Sequence, residues 1–140
     1  MNFYIVDKLE EMDLVVIHKT LSSTYWAKNI PFPILVKGLQ NSLCFGVMNT
    51  DYQQVGFARM ITDRATFAYL ADVFILPEYR GLGLSKRLMR HILDHKDLQG
   101  LRRMALATSD AHGLYEKFGF KALANPTSFM EVWQPDVYSN

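Results

Sequence analysis

Tyr69-Leu-Ala-Asp-Val-Phe-Ile-Leu-Pro-Glu-Tyr-Arg-Gly-Leu-Gly-Leu-Ser-Lys-Arg-Leu88 is the stretch from which the rest of the chain is read. It begins as an apolar strand, passes Pro77, bends at Arg80-Gly-Leu-Gly83 and runs directly into a helix. Glycines at a helix N-terminus let a ligand approach the main chain closely. The free N–H groups of the first turn and the helix dipole then form an anion site, above all for phosphate. A P-loop needs Gly followed by Lys and then Ser or Thr, and Gly83-Leu-Ser-Lys86 has that order wrong. A dinucleotide fingerprint needs a third Gly where Lys86 stands, within an early parallel βαβ unit, and that fails too.

Working outward, Phe3–Val6 reads as a first strand, and Leu9 to Leu21 carries a rough helical stripe. Residues 21–33 form a loop or broken helix rich in aromatics. Pro33 opens a second short helix ending near Gln40–Ser42. Leu43–Met48, Gln54–Ile61 and Thr66–Leu76 are β-rich runs separated by polar breaks, the spacing of antiparallel hairpins. Leu84 to about Leu98 is an amphipathic helix with Leu84, Leu88 and Ile92 four apart. Arg102–Thr108 predicts a strand, Asp110–Phe118 a helix stopped by Gly119, and Phe120–Leu123 and Phe129–Trp133 two closing strands. The fold class is α/β: a mixed, mostly antiparallel sheet with helices in layers around it.

The chain has 140 residues, and without repeats or linkers it is expected to form one domain over 1–140. Apolar residues are 49% and charged residues 21%, which excludes wholesale disorder. Fifteen basic against fourteen acidic side chains provide no bulk attraction to nucleic acid or anionic membrane. One cysteine, Cys44, excludes an internal disulfide and a Cys-rich zinc site; it reads as a buried hydrophobe. His91 and His95 are four apart but lack a third ligand, so no metal is expected. With no spanning helix and no signal-peptide pattern, the expected location is a reducing cytoplasm.

The third reading of the glycine bend is the pyrophosphate of coenzyme A, and its context lies about thirty residues on. Ala111-His-Gly-Leu-Tyr115-Glu-Lys-Phe-Gly119-Phe120 follows Arg80-Gly-Leu-Gly83-Leu-Ser85 in the chain. Together these two motifs, in this order, resemble the GNAT superfamily of N-acetyltransferases. The resemblance covers nearly the whole chain, and it implies a pair of central parallel strands splayed to admit acetyl-CoA. It departs from the family pattern at Ser85 (a small Gly or Ala in relatives), at Thr108 (often Asn) and at Ala71, where some relatives carry a glutamate base.

By that resemblance, Phe74, Ile75 and Leu76 lie along the pantetheine arm, while Arg80, Gly81, Leu82, Gly83, Leu84, Ser85 and Lys86 surround the pyrophosphate. Lys86, Arg87 and Arg90 either meet the 3′-phosphate or form a solvated helix face. Tyr115 resembles the general acid that protonates the departing thiolate; the alternative is a tyrosine packed into the core. An ammonium acceptor must lose a proton before it attacks, and Asp72 on the central strand is the leading base, or else a salt-bridged carboxylate. Asp110 and His112 are lesser candidates, with Asp110 better suited to an N-cap. Tyr25, Trp26 and Phe32 either wall the acceptor site or fill the core.

The function implied is transfer of an acetyl group from acetyl-CoA to a primary amine, of a small molecule or a peptide, in a ternary complex. A sensor that keeps the acyl-CoA cleft without catalysis is the alternative. The C-terminal strands, Phe129–Trp133 among them, offer an edge for a homodimer.

Overall fold

The computed structural model describes residues 2–139. Five strands, β1 (Phe3–Val6), β2 (Leu43–Asn49), β3 (Gln54–Thr62), β4 (Phe67–Ile75) and β5 (Arg103–Leu106), form one sheet in chain order. The first three pairings are antiparallel, and β4–β5 is parallel. Four helices pack around it: α1 (Leu14–Leu21), α2 (Phe32–Gln40), α3 (Leu84–Leu93) and α4 (His112–Glu116).

Local chemistry sets these boundaries. The helical stripe expected from Leu9 is divided: Leu9–Glu11 is a single 3-10 turn, and α1 begins only after Asp13. The Asp13 carboxylate accepts from the amides of Val15 and Val16, each at 3.1 Å, which caps α1. Pro33 sits in the first turn of α2, where its missing N–H leaves nothing unpaired. In the β3–β4 turn, Asp63 Oδ1 accepts from the amides of Ala65, Thr66 and Phe67 at 2.9, 2.7 and 3.2 Å. Those bonds and one from the Thr66 hydroxyl hold the Asp63 carboxyl well below the usual carboxylate range.

The sheet buries both faces. On one lie Phe45, Val47, Met60 and Leu70 under the α3 stripe of Leu84, Leu88, Met89 and Ile92. On the other, Ile17, Leu21, Leu35 and Leu39 from α1 and α2 cover Cys44, Phe57 and Phe74. A strand enclosed this way is mostly apolar: every residue of β2 is buried, and its only polar side chain is Asn49 at the end. Each fully buried side chain such as Phe45 or Leu88 contributes roughly 1.5–3 kcal/mol. None of the described helices is long and apolar enough to cross a membrane.

Two expected strands are not formed. Phe120–Leu123 and Phe129–Trp133 have strand-like composition but make no ladder, so β5 ends the sheet. Strand propensity is expressed only where a backbone partner is available: Phe120 packs against the core beside Tyr115, but neither segment finds a ladder partner among the described residues. The amphipathic helix expected to reach Leu98 stops at Leu93, followed by a 3-10 turn at Lys96–Leu98.

Candidate active site

The parallel pairing of β4 and β5 runs from Phe67–Arg103 to Leu70–Leu106 and stops there. From Ala71 onward the β5 side of β4 has no strand beside it, so the two strands part toward their C-terminal ends. The departure begins at a bulge. Phe57 pairs with Phe74 and Arg59 with Ala71, leaving Asp72 and Val73 opposite the single residue Ala58. Asp72 has φ 58°, a left-handed conformation that asparagine and aspartate tolerate better than most side chains.

The bulge reverses the alternation of side chains. Ala68 and Leu70 face α3, whereas Phe74 and Leu76 face α1 and α2. Asp72 is buried, and its carboxylate is held from two directions. Arg59 Nε donates to Oδ2 at 2.9 Å, and the indole Nε1 of Trp26 donates to Oδ1 at 2.8 Å. The base candidate is therefore an ion-paired carboxylate.

Trp26 belongs to the α1–α2 loop, and its neighbour Tyr25 packs edge-on against it with ring centroids 5.0 Å apart. The Tyr25 hydroxyl lies 3.3 Å from Ser109 Oγ, beyond the end of β5. This loop thus reaches both arms of the parted strands: β4 through Trp26 and the β5 side through Tyr25. Tyr25 and Trp26 are 74% and 48% exposed, which excludes the core-filling account for them. Phe32 is separate from this pair; it packs edge-on against His18 at 5.3 Å.

At the end of β4, Pro77–Tyr79 forms a 3-10 turn and the chain bends through Gly81 and Gly83, at φ 78° and 77°. A side chain at either would meet nothing within 4 Å, so the conformation, not crowding, requires glycine, and the main chain faces open space. The Arg87 amide is bound by the Gly83 carbonyl at 3.1 Å, so the amides of Leu84, Ser85 and Lys86 are the free donors of the first turn. A pocket of about 250 Å³ lies here, lined by Ile75, Arg80, Gly81, Gly83, Leu84, Ser85, Lys86, Tyr79 and, from α4, Leu114. Leu82 stands outside it, half exposed. Arg80 Nε donates to the Ile75 carbonyl at 3.0 Å and ties the bend to the strand end. Arg87 turns away and donates to the Phe3 carbonyl at 2.9 Å.

Tyr115 is buried with its ring edge-on to Phe120. Burial, and secondarily the charge of Asp110, pushes its phenol above the ordinary tyrosine range, so it holds its proton at neutral pH. It lines a second cavity of about 670 Å³ with Thr108 and β5, while adjacent Leu114 lines the glycine pocket. Asp110 is not an N-cap: Ala111 occupies that position, and its amide is bound by Thr108 Oγ1 at 3.1 Å. Thr108 thus anchors the residue that precedes the helix carrying Tyr115, and that helix has no side-chain cap.

His91 and His95 both pack edge-on against Phe45, and His95 Nδ1 accepts from the Asp97 amide. Burial pushes the Cys44 thiol up to about 11, with Arg59 opposing and Asp72 adding to the shift. Arg59 was not singled out from the sequence. A lone arginine within a β-run has no local signature, and only its register opposite the bulge reveals its partner.

Residues 41–122, more than half of the chain, match the model of the acetyltransferase (GNAT) domain. The chain belongs to the GNAT acetyltransferase family. A GNAT-family protein from Xanthomonas campestris pv. campestris, known from its crystal structure, is 50% identical and superposes with a TM-score of 0.96 over 100% of this chain and 99% of that one. A Gibberella zeae protein whose name provisionally assigns it as an acetyltransferase is 41% identical over 72% of this chain and 68% of its own length. N-acetyltransferase 8B of Homo sapiens is 32% identical over 64% of this chain, which spans 43% of that protein. The parted strands and the glycine bend thus stand in a GNAT fold.

Proposed function

We propose that the protein transfers the acetyl group of acetyl-CoA to a primary amine by direct attack in a ternary complex. The observation that carries this reading is the parting of β4 from β5 directly ahead of a glycine bend with free amides. The amides of Gly81 to Lys86 bind the pyrophosphate, and Lys86 adds positive charge beside it. The open edge of β4 at Phe74–Leu76 pairs with the pantetheine arm, as an unpaired strand edge pairs with any extended chain that offers amides.

The acceptor enters from the side of Tyr25 and Trp26, a wall suited to an amine with an apolar or cationic body. An ammonium proton leaves through water beside Asp72, whose two oxygens keep lone pairs beyond those used by Arg59 and Trp26. The amine nitrogen then forms a bond to the thioester carbonyl carbon and the C–S bond breaks. Tyr115 gives its proton to the leaving sulfur, and the proton lost from the new amide nitrogen restores the phenol.

Engagement of both Asp72 oxygens favours a second reading, an acyl-CoA sensor without turnover. Thermal unfolding with acetyl-CoA, ATP or NAD, followed by thiol release over a panel of primary amines, separates the two. Transferase function predicts stabilisation by acetyl-CoA alone, about 2.7 kcal/mol at a hundredfold excess over Kd, with thiol release for at least one amine. Stabilisation without release on any acceptor supports the sensor, and no stabilisation by acetyl-CoA overturns both.

A further inference from the structure

Arg59 stands opposite Ala71 in the β3–β4 register, beside the bulge, and its guanidinium is held at two of its three nitrogens. Nε donates to Asp72 Oδ2 at 2.9 Å and Nη1 to Ser42 Oγ at 3.4 Å. The last turn of α2 provides the seat: a Cβ at Gly38 would come within 3.0 Å of Nη1, so the missing side chain is what gives the guanidinium its place. The third nitrogen, Nη2, has no partner among the described residues. No side-chain nitrogen or oxygen sealed from solvent lacks a partner among them, so Nη2 is open. The Arg59 side chain as a whole is 18% exposed. A guanidinium fixed at one edge and open at the other is a preformed receptor for an anion, and its flat fork matches a carboxylate.

The surroundings select the kind of anion. Arg59 and Ile61 alternate onto one face of β3, and Phe67 and Tyr69 share that face on β4, with Tyr69 opposite Ile61. Helices α1 and α2 cover Cys44, Phe57 and Phe74 on this face but leave Ile61 and Phe67 41% and 37% exposed. The loop that meets Asp72, residues 22–31, carries Lys28 and no acid. Asp72 is paired with Arg59, and the charge of Asp110 is felt on the α4 side, at Tyr115. Arg59 and Asp72 thus form a plus–minus pair beside an apolar strip. A molecule with its ammonium near Asp72 and its carboxylate on Nη2 matches that pair charge for charge, which neither a plain amine nor a plain acid does.

We propose that the acceptor is an amino acid with an apolar side chain, its carboxylate held by Arg59 Nη2 and its amine beside Asp72. This rests on the transferase reading above and narrows its acceptor from any primary amine. The ammonium loses a proton to water, its nitrogen bonds to the acetyl carbonyl carbon, and the C–S bond breaks. Tyr115 protonates the sulfur and regains a proton from the new amide nitrogen. An N-acetyl amino acid leaves with the coenzyme thiol, its carboxylate unchanged throughout.

Calorimetry in the presence of coenzyme A compares L-leucine with L-leucinamide, which lacks the negative charge. The wild-type protein is expected to bind the acid about tenfold tighter or more, the weight of a charge-assisted hydrogen bond. In thiol release from acetyl-CoA, kcat/KM should favour the acid in the same direction. Arg59→Lys keeps a charge beside Asp72 but loses the fork, and should bring both ratios close to one. Because each is a ratio, a structural loss common to the two ligands cancels. Gly38→Ala favours the helix and crowds Nη1, and should lower both ratios with the far-UV circular dichroism retained. Leucinamide bound as well as leucine by the wild type, or a preference unchanged in both variants, would overturn the assignment and leave the transferase reading standing. Thiol release from no amine at all would overturn that reading, and the acceptor assignment with it.

Discussion

Trp26 and Asp72, 46 positions apart in sequence, are joined by a 2.8 Å hydrogen bond from the indole nitrogen to a carboxylate oxygen at the point where β4 and β5 part. Arg59 holds the other oxygen, so a loop, a bulge and a neighbouring strand meet at one buried charge. Asp72→Ala leaves the Arg59 guanidinium without its partner and is expected to cost about 3 kcal/mol in chemical denaturation. Asp72→Asn, which still accepts from the indole and tolerates the left-handed backbone, should cost less. Trp26→Phe should cost about 1 kcal/mol, the typical net worth of one hydrogen bond. Equal losses for Asp72→Ala and Asp72→Asn would show that the hydrogen bonds an amide keeps do not support the cluster.

At Tyr115, substitution by Phe removes only the phenolic oxygen. Turnover should fall roughly 100- to 10,000-fold, the range for loss of a general acid, with acetyl-CoA affinity unchanged in calorimetry. Since burial raises this phenol, the wild-type rate should not decline on the alkaline side until above pH 10, where an ordinary tyrosine loses its proton. Unchanged turnover in Tyr115→Phe would remove this side chain from the chemistry.

Alanine at Gly83 meets no steric obstacle, so its effect on stability comes from the positive φ alone, roughly 1–2 kcal/mol. The new methyl group projects into the space that the pyrophosphate is proposed to use. Acetyl-CoA binding should therefore weaken about tenfold or more, equivalent to about 1.4 kcal/mol. Thermal unfolding with and without acetyl-CoA separates the two effects.

Cys44 supplies a pH dependence with a definite sign. Its thiol ionises near 9.0 when unfolded and at about 11 in the fold. The unfolded chain therefore loses its proton first, and stability falls as pH rises from about 9 to 11. The two-unit difference corresponds to about 2–3 kcal/mol at most, and Cys44→Ala should remove that part of the alkaline loss. In the native protein at pH 8 the thiol should resist iodoacetamide and react only on denaturation, as intact mass would show.

The amphipathic α3, the apolar β2 and the glycine bend were legible because each is written in consecutive or regularly spaced residues. Periodicity and turn chemistry are local, and so is the requirement for glycine at a left-handed bend. The two GNAT motifs are also local, which is why the family could be read before any packing was known.

What the sequence determined by itself was the succession of elements through α4, the two apolar faces and the place where a phosphate would meet free amides. Tertiary structure decided the rest. The bulge that turns Asp72 toward Arg59 and Trp26 exists only in the register between β3 and β4, and no periodicity within β4 announces it. The two C-terminal segments are strands by composition alone, because a strand is a pairing and its partner edge must be supplied from elsewhere in space.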